Sequence, residues 1–588
     1  MSNKILLILF SCLFVIGCSK DVTNTNDPSL EVVVPKITTA IISEITEITA
    51  NAGGNITDDG GSRVTSRGVC WSTSSNPTLN DEKTSDGTGT GNFTSSLIGL
   101  TKNTTYYLKA FATNSKGTAY GNEVLFTTEG TDELTYEGNL HLKTQQEVDE
   151  FGSQGYSIIN GSLRIGGDLN STGDYPPTDI TNLNSLNTLT SVVSLSIEGN
   201  INLTDIHGLD NLTTISGGGI SIFYNGLVNL SGLNKITHVE GHMRIVSNDN
   251  LESIDGFNEL ASIGTPDPGG ATIPGQLQIS NNKSLIGVNG FLKLTSINAD
   301  FILTGNTSLT TVDFMSNLES VGRTFKIAAN PAIIGISGMD RLSSVGQSIE
   351  IYSNNALTDI SGLNGLISLN SNLEIWDNSA LMNIDGFGAL AVIISSLRIH
   401  DNASITDLDG FGTLTRIDRN LQIHGNAKLT EISGFPNLTA LGTDLEIRDN
   451  PVLANIDGFI GLVTIGNDLK ITNNDQLTNI DGLNSVTSIG HNLYVAFNAI
   501  LTDVSGLNAL TSIGFSWTFE FNGQLIHLNG LSNVATVGAN LAIIHNQALT
   551  DLCGIRLLLI NGYTGAYNVT DNAYFPTRQD IIDGNCSL

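Results

Sequence analysis

A repeat of constant length runs through most of this chain. The pattern Leu-x-Ile-x-x-Asn returns once per repeat with conservative substitutions, and its last position is an asparagine at twelve sites that are each 24 residues apart. These sites are Asn282, Asn306, Asn330, Asn354, Asn378, Asn402, Asn426, Asn450, Asn474, Asn498, Asn522 and Asn546. Asn200, Asn225 and Asn248 extend the series upstream, and Asp168 is its predicted first member, which gives about sixteen repeats. A fixed period of this size indicates a stack of identical supersecondary units.

One repeat indicates that the unit is a coil of short strands. Leu373 and Ile375 alternate with outward residues, and two further short apolar runs follow, around Leu381 and around Leu390. None of these runs is long enough for a stable helix. If each strand pairs with its copy in the next coil, about 4.8 Å away, the aliphatic side chains share one interior. We therefore predict an all-β fold, with a solenoid about 75 Å long over residues 161–552.

Two further columns explain the turns of the predicted coil. The repeated asparagine can bond to the backbone of the neighbouring coil and so satisfy buried turn amides. The second column is a glycine that recurs once per repeat, which indicates either a positive φ or a sterically tight corner in each coil. Phe314 interrupts this glycine column, so we expect the coil that contains Phe314 to turn differently. The glycines fall at 208, 232, 256, 290, 338, 362, 386, 410, 434, 458, 482, 506, 530 and 554.

The repeat unit resembles a known family. Leu-x-Ile-x-x-Asn-x-x-Leu-x-x-Ile-x-Gly-Leu/Phe-x-x-Leu-x-x-Ile is similar to the receptor L-domain over residues 136–588, although leucine follows asparagine at three residues rather than two as in plain leucine-rich repeats. The resemblance implies a right-handed parallel β-helix. It also implies binding of an extracellular ligand, since L-domains of animal receptors do this and related bacterial surface proteins act as adhesins. Fold alone does not fix function.

A different pattern precedes the array. Residues 19–34 are rich in Ser, Thr, Asn and Asp and predict a flexible tether. Residues 35–128 alternate in short runs separated by Gly and Asp, which predicts a small β-sandwich. The segment from Leu100 to Tyr106 resembles that of fibronectin type III domains, which implies that Tyr106 is the tyrosine-corner residue. Lys102 replaces the usual proline, and Trp71 is the candidate core tryptophan.

Both ends of the solenoid need a cover, because an open coil exposes its core and strand edges. Residues 129–160 are predicted as linker and N-terminal cap, with a short helix over 144–152 that begins at Thr144 or a neighbour. Residues 553–588 are predicted as the C-terminal cap. In an oxidising compartment Cys553 and Cys586 are a plausible disulfide pair there, and Cys70 is predicted to be a buried small hydrophobe.

The first eighteen residues predict export and lipidation. Lys4 and the apolar run Ile5 to Ile16 are typical of a signal peptide, and the run is short for a membrane-spanning helix. Val15-Ile16-Gly17-Cys18 resembles a bacterial lipobox, which implies cleavage before Cys18 and its acylation. Ser19 after the cysteine resembles lipoproteins sorted to the outer membrane, with surface exposure expected. The alternative is an ordinary secretory signal.

Net charge excludes one class of partner. The chain carries a formal charge of −31, and nucleic acids and anionic lipid headgroups are normally bound through cationic side chains. We therefore expect no nucleic-acid partner, and membrane attachment only through the lipid on Cys18.

The outward positions of the first strand carry the candidate binding residues. Five consecutive coils place an aromatic ring, imidazole or guanidinium directly after the inward Ile, and three aromatic residues further along could continue this stripe. Such residues are enriched at protein interfaces, and aromatic rings also stack on sugars. An alternative is that the stripe only packs on itself. The candidates are Tyr352, Trp376, His400, His424, Arg448, Tyr494, Phe497 and Phe521.

Other chemistry is less favoured by the sequence. His400 and His424 lie within reach of Asp377 and Asp401, a set that suits Zn²⁺, but paired columns arise easily in repeats, so we expect no metal and no cofactor. A glycan-active enzyme needs Asp or Glu with Lys or Arg in one groove. The outward column Glu350, Glu374, Arg398, Gln422, Glu446 and Lys470 instead predicts solvated pairing between coils.

The function predicted from the sequence is therefore adhesion or ligand binding. We expect a surface lipoprotein that recognises an extracellular protein or glycan through one face of the solenoid, and not an enzyme. The alternatives are a surface lyase or hydrolase acting on glycans and a spacer without a ligand.

Overall fold

The computed structural model describes residues 31–130, 133–171, 175–264 and 275–588. Two compact units divide at residue 132. Cys18, the predicted signal peptide and the tether up to residue 30 lie outside the described residues. Within the described ranges, no helix has the length and apolar character needed to cross a membrane.

The N-terminal unit consists of two small antiparallel sheets. The strands are β1 (Lys36–Thr39), β2 (Thr49–Asp58), β3 (Ser66–Ser72), β4 (Glu82–Lys83), β5 (Gly91–Ile98), β6 (Thr105–Thr113), β7 (Thr118–Tyr120) and β8 (Val124–Thr127). One sheet has the order β1-β2-β5, and the other has the order β4-β3-β6-β7 with β8 also paired to β6. Both sheets contribute to one core, in which Tyr106 is buried and its hydroxyl accepts a hydrogen bond from the Thr101 backbone N–H at 2.9 Å. Trp71 is only half-buried at the edge of that core.

Cys70 is fully buried in this unit, as its place in an alternating strand predicts. Burial raises the pKa of its thiol to about 11. Because the thiolate is the reactive form, we expect iodoacetamide at pH 8 to leave Cys70 unmodified in the folded protein and to modify it after denaturation. Mass spectrometry of the peptide that contains Cys70 measures this directly. Labelling of the folded chain at the rate of an exposed cysteine would contradict the buried placement.

The second unit is a parallel β-solenoid built on one column of strands, which we call the long strands. Each long strand pairs in parallel with the next, and eighteen of them follow in sequence order. They are Leu140–Leu142, Ile158–Gly166, Ser191–Glu198, Thr214–Phe223, His242–Val246, Leu277–Ser280, Phe301–Thr304, Phe325–Ala328, Ile349–Tyr352, Leu373–Trp376, Leu397–His400, Leu421–His424, Leu445–Arg448, Leu469–Thr472, Leu493–Ala496, Trp517–Glu520, Asn540–Ile544 and Ala566–Thr570.

A second column of short strands precedes the long strands from Leu140–Leu142 to Asn540–Ile544. In the three coils that contain Ile158–Gly166, Ser191–Glu198 and Thr214–Phe223, the short and long strands form one continuous strand. The pairing between neighbours among these three strands shifts register between the short and the long part. Elsewhere the short strands are separate. They are Thr135–Glu137, His238–Val239, Ser262–Ile263, Ser296–Ile297, Ser320–Val321, Ser344–Val345, Ser368–Leu369, Val392–Ile393, Arg416–Ile417, Ala440–Leu441, Thr464–Ile465, Ser488–Ile489, Ser512–Ile513 and Thr536–Val537.

In most coils the third side contains a 3₁₀ turn or a two-residue strand. The strands are Ser253–Ile254, Gly287–Val288, Thr311–Val312 and Gly335–Ile336. The 3₁₀ turns are Asn184–Leu186, His207–Leu209, Ser231–Leu233, Ser361–Leu363, Asp385–Phe387, Asp457–Phe459, Asp481–Leu483, Ser505–Leu507, Asn529–Leu531 and Cys553–Ile555.

The interior repeats the same side chains in register. Leu397 pairs with Leu421 and Ile399 with Ile423, so that each inward residue lies above its copy in the next coil. These side chains are fully buried and belong to one continuous apolar core. The predicted all-β solenoid with a shared interior is therefore confirmed.

The asparagine ladder is present and runs from Asn200 to Asn572. Asn354 is typical: its side-chain amide donates to the Ile327 carbonyl at 3.0 Å, and its backbone N–H donates to Oδ1 of Asn378 at 3.1 Å. Asp168, the predicted first member, instead lies on the surface with Lys143 Nζ at 2.7 Å. Asn200 donates directly to the Ile165 carbonyl, and the ladder begins there.

The glycine column marks a tight corner in most coils. A Cβ at Gly386 would lie 2.0 Å from the Ile360 carbonyl oxygen, and the φ of Gly386 is not positive. At the predicted interruption, Phe314 follows a two-residue strand rather than starting a 3₁₀ turn, and Gly338 in the next coil has a φ of 73°. Two-residue strands occupy the same place in the coils of Gly256, Gly290 and Gly338, so this strand does not distinguish the coil of Phe314 from its neighbours.

Both ends carry one coil beyond the sixteen predicted. At the N-terminal end of the solenoid, helix α1 (Gln145–Gly152) follows the long strand Leu140–Leu142. Thr144 is the N-cap of this helix and forms a capping box with Glu147. At the other end, helices α2 (Arg556–Ile560) and α3 (Arg578–Ile582) flank the last long strand. The predicted disulfide between Cys553 and Cys586 is formed.

Candidate binding surface

The long face is the surface formed by the outward residues of the long strands. Five candidates occupy one position of five consecutive strands and pair directly from coil to coil. We call them the ring column: Tyr352, Trp376, His400, His424 and Arg448. Each member is half-buried.

The rings of this column stack on one another. The ring centroids are 4.0 Å apart between Tyr352 and Trp376, 5.7 Å between Trp376 and His400, and 4.5 Å between His400 and His424. The interplanar angles are 12° to 13°. Because neighbouring rings cover each other's faces, the column exposes mainly ring edges. It therefore offers polar edge atoms rather than a flat platform for a sugar ring.

Charged groups close both ends of the ring column. Lys326 Nζ lies 4.9 Å from the centroid of the Tyr352 ring, a cation–π geometry. At the other end Arg448 donates to Glu446 at 2.7 Å and to Asp449 at 2.6 Å. Burial, together with Arg448 and His400, lowers the pKa of His424 below its ordinary value. The lowered pKa favours the neutral ring of His424.

A second outward column lies beside the ring column and forms lateral pairs. Lys326 Nζ lies 3.2 Å from Glu350. Arg398 donates to Glu374 and, at 2.9 Å, to Gln422, which in turn donates to Glu446 at 2.8 Å. Pairing between coils is therefore present at Lys326–Glu350 and Arg398–Glu374. It is not continuous, because Glu350 lies directly beside Glu374 and Lys470 pairs with Asp468 of its own coil at 2.9 Å.

The remaining three candidates do not continue the ring column. Tyr494 belongs to the column of lateral pairs, in register with Lys470. Phe497 and Phe521 directly follow the ring-column position, where the backbone has a positive φ of 58° and 55°. Their rings stack with centroids 4.9 Å apart, and each is 41% exposed. They form a separate apolar pair on the same face.

Sequence reasoning missed a neighbouring aromatic residue. Phe515 is 45% exposed and stacks on His491 with centroids 4.8 Å apart. It precedes the long strand Trp517–Glu520, whereas Phe521 follows that strand. His491 and Phe515 are one 24-residue repeat apart in the sequence. This spacing of two rings is the signal that could have identified Phe515.

The structure brings together three of the four residues considered as metal ligands. One ligand atom each of His400, Asp401 and His424 lies within 4.8 Å of the others. His400 Nδ1 is 2.8 Å from Asp401 Oδ2. Asp377 is not part of this group, and its carboxylate accepts a hydrogen bond from the Ser353 hydroxyl at 2.7 Å.

Comparison with known proteins adds little. No family model and no curated protein matches this chain. Among solved structures, pectate lyase PelI from Erwinia chrysanthemi in complex with tetragalacturonic acid is similar at 12% identity and a TM-score of 0.13, covering 62% of this chain and 85% of that one. Pectate lyase Pel3 from Pectobacterium carotovorum is similar at 10% identity and a TM-score of 0.12, covering 68% and 86%. With TM-scores this low, neither the fold nor the activity of this chain rests on the likeness.

Proposed function

We propose that the protein is a lipid-anchored binding protein of the bacterial outer surface, and that its long face recognises an extracellular protein. The observation that carries the proposal is the ring column, five consecutive aromatic or cationic side chains turned outward on a repetitive scaffold. Aromatic residues and arginine are the types that protein interfaces enrich. The lipobox-like Val15-Ile16-Gly17-Cys18 supports the anchor. The resemblance to receptor L-domains supports ligand binding.

The stacking of the rings favours a protein over a glycan as the partner. Sugars are held on aromatic side chains mainly through the ring face, and the faces within the column are covered by their neighbours. Exposed edges can hydrogen bond to a protein surface, and the pair Phe497 and Phe521 adds apolar area on the same face. The net charge of −31 argues against a nucleic-acid partner.

Replacing Tyr352 and Trp376 with alanine tests the proposal. We expect the double variant to bind its partner at least about tenfold more weakly, since interface aromatics carry much of the binding energy. The measurement is retention of full-length protein on a panel of immobilised extracellular proteins, with a glycan array and a reducing-sugar assay in parallel. Both side chains point outward, so the thermal midpoint should change little.

Phe575→Ala is the matched control, because Phe575 is 61% exposed and does not belong to a long strand. It should leave retention unchanged. Retention on glycans alone would replace the protein partner with a sugar, and release of reducing ends would support the enzyme alternative. Equal retention of the double variant and the parent protein would remove the ring column from the binding surface.

A further inference from the structure

We propose that His400, Asp401 and His424 form a binding site for a divalent first-row transition metal ion such as Zn²⁺. Two imidazoles and one carboxylate are a ligand set that suits this ion. Within the described residues, this is the one cluster of three or more His, Cys, Asp or Glu side chains whose ligand atoms lie close enough together for a shared ion.

The backbone fixes the three ligands relative to one another. His400 and His424 occupy paired positions of adjacent long strands. Asp401 follows His400 with a φ of 56°, and its backbone N–H donates to the carbonyl of His424 at 3.0 Å. The site therefore depends on two coils held by the solenoid and not on a loop.

A glycine makes room for the carboxylate. The position after the ring column carries Ser353, Asp377, Asp401 and Asp449 in nearby coils, but Gly425 after His424. A Cβ at Gly425 would lie 2.2 Å from Oδ1 of Asp401. The missing side chain lets the Asp401 carboxylate lie over the coil that carries the second imidazole.

One imidazole already faces the carboxylate. His400 Nδ1 lies 2.8 Å from Asp401 Oδ2. Because a histidine coordinates through a neutral ring nitrogen, a bound ion would replace the proton between these two atoms.

Metal binding requires only local side-chain movement. Bonds of about 2.0–2.2 Å to a tetrahedral Zn²⁺ bring ligand atoms to about 3.3–3.5 Å from one another. The corresponding atoms now lie within 4.8 Å. The two imidazoles, which are nearly parallel at 12°, would tilt towards each other. Three protein ligands leave a fourth position for water.

The test uses the untagged full-length chain and Zn²⁺ alone. Competition with a chromophoric zinc chelator should give one Zn²⁺ per chain. Three variants copy residues that other coils place in the same columns: His400→Thr and His424→Thr follow Thr472, and Asp401→Asn follows Asn473. We expect each single variant to weaken Zn²⁺ binding by at least about tenfold, since even outer-shell changes cost about 10- to 100-fold. The double histidine variant should bind none.

His491→Asn is the matched control. His491 lies 3.0 Å from Asp468 but stacks on Phe515 rather than on a second histidine, and Asn467 holds its position in the preceding coil. This variant should bind Zn²⁺ like the parent. Failure of the parent to bind Zn²⁺, or binding that persists in the double histidine variant, would overturn the site. Since no partner protein is used, the result is independent of the proposed function.

Discussion

Replacing Gly410 with alanine should destabilise the solenoid by about 3 kcal/mol or more, towards the upper end of what overpacking costs. A Cβ at this position would lie 1.7 Å from the carbonyl oxygen of Ile384. That oxygen belongs to the backbone of the preceding coil, so no flexible side chain can move away. The two coils would have to separate, and their strand pairing would weaken.

Gly412→Ala is the control two residues away. A Cβ there meets nothing within 4 Å, and the φ of Gly412 is not positive. This change should stay within about 0.5 kcal/mol of the parent. Because repeat arrays need not unfold in one step, amide hydrogen exchange across residues 373–448 is the appropriate measurement, with thermal unfolding beside it. Equal protection in the two variants would contradict the tight corner.

Replacing Asn354 with alanine should cost about 2–6 kcal/mol. Two buried groups lose their partner, each at about 1–3 kcal/mol. The Ile327 carbonyl loses the donor at 3.0 Å, and the Asn330 backbone N–H loses its acceptor at 3.1 Å. The side chain also accepts from the amide of Asn330, so the ladder would be interrupted in both directions.

Asn355→Ala tests the same chemistry on the surface. Asn355 is exposed, and among the described residues its side chain makes no hydrogen bond. Its replacement should leave stability within about 0.5 kcal/mol. Exchange of the Asn330 amide reports on the ladder directly. If that amide remains equally protected in both variants, the ladder does not stabilise the corner.

The period of the sequence was sufficient to predict the solenoid and its inward columns. Twelve asparagines follow one another at a constant spacing of 24 residues. Stacking coils of this length places each Leu above a Leu and each Asn above an Asn, and few other arrangements would bury these side chains. The terminal coils were missed because the pattern changes there. Asn572 follows Asn546 at 26 residues, with Tyr567 and Val569 in place of Leu and Ile, yet it accepts from the Asn546 backbone N–H at 3.0 Å.

The candidate site was harder to predict, because the residue types at one position of the repeat do not determine the orientation of their rings. The sequence placed Tyr352 and Trp376 next to each other but could not tell whether their faces point outward or cover one another. The 24-residue period alone separates Phe497 from the ring column, because it places that column at Ala496. The structure adds that the backbone at Phe497 has a positive φ. Gly425 looked like an ordinary turn residue, and only the position of the Asp401 carboxylate gives it a role.

The unbroken register of the coils has an evolutionary consequence. An inserted coil presents the same inward leucine, isoleucine and asparagine to both of its neighbours. After a coil is lost, the two coils that flanked it present these residues to each other, so the contacts between adjacent coils are preserved in both cases. Recombination between similar gene segments can thus lengthen or shorten the rod in steps of about 4.8 Å. The length of the solenoid can therefore vary while its two end structures stay as they are.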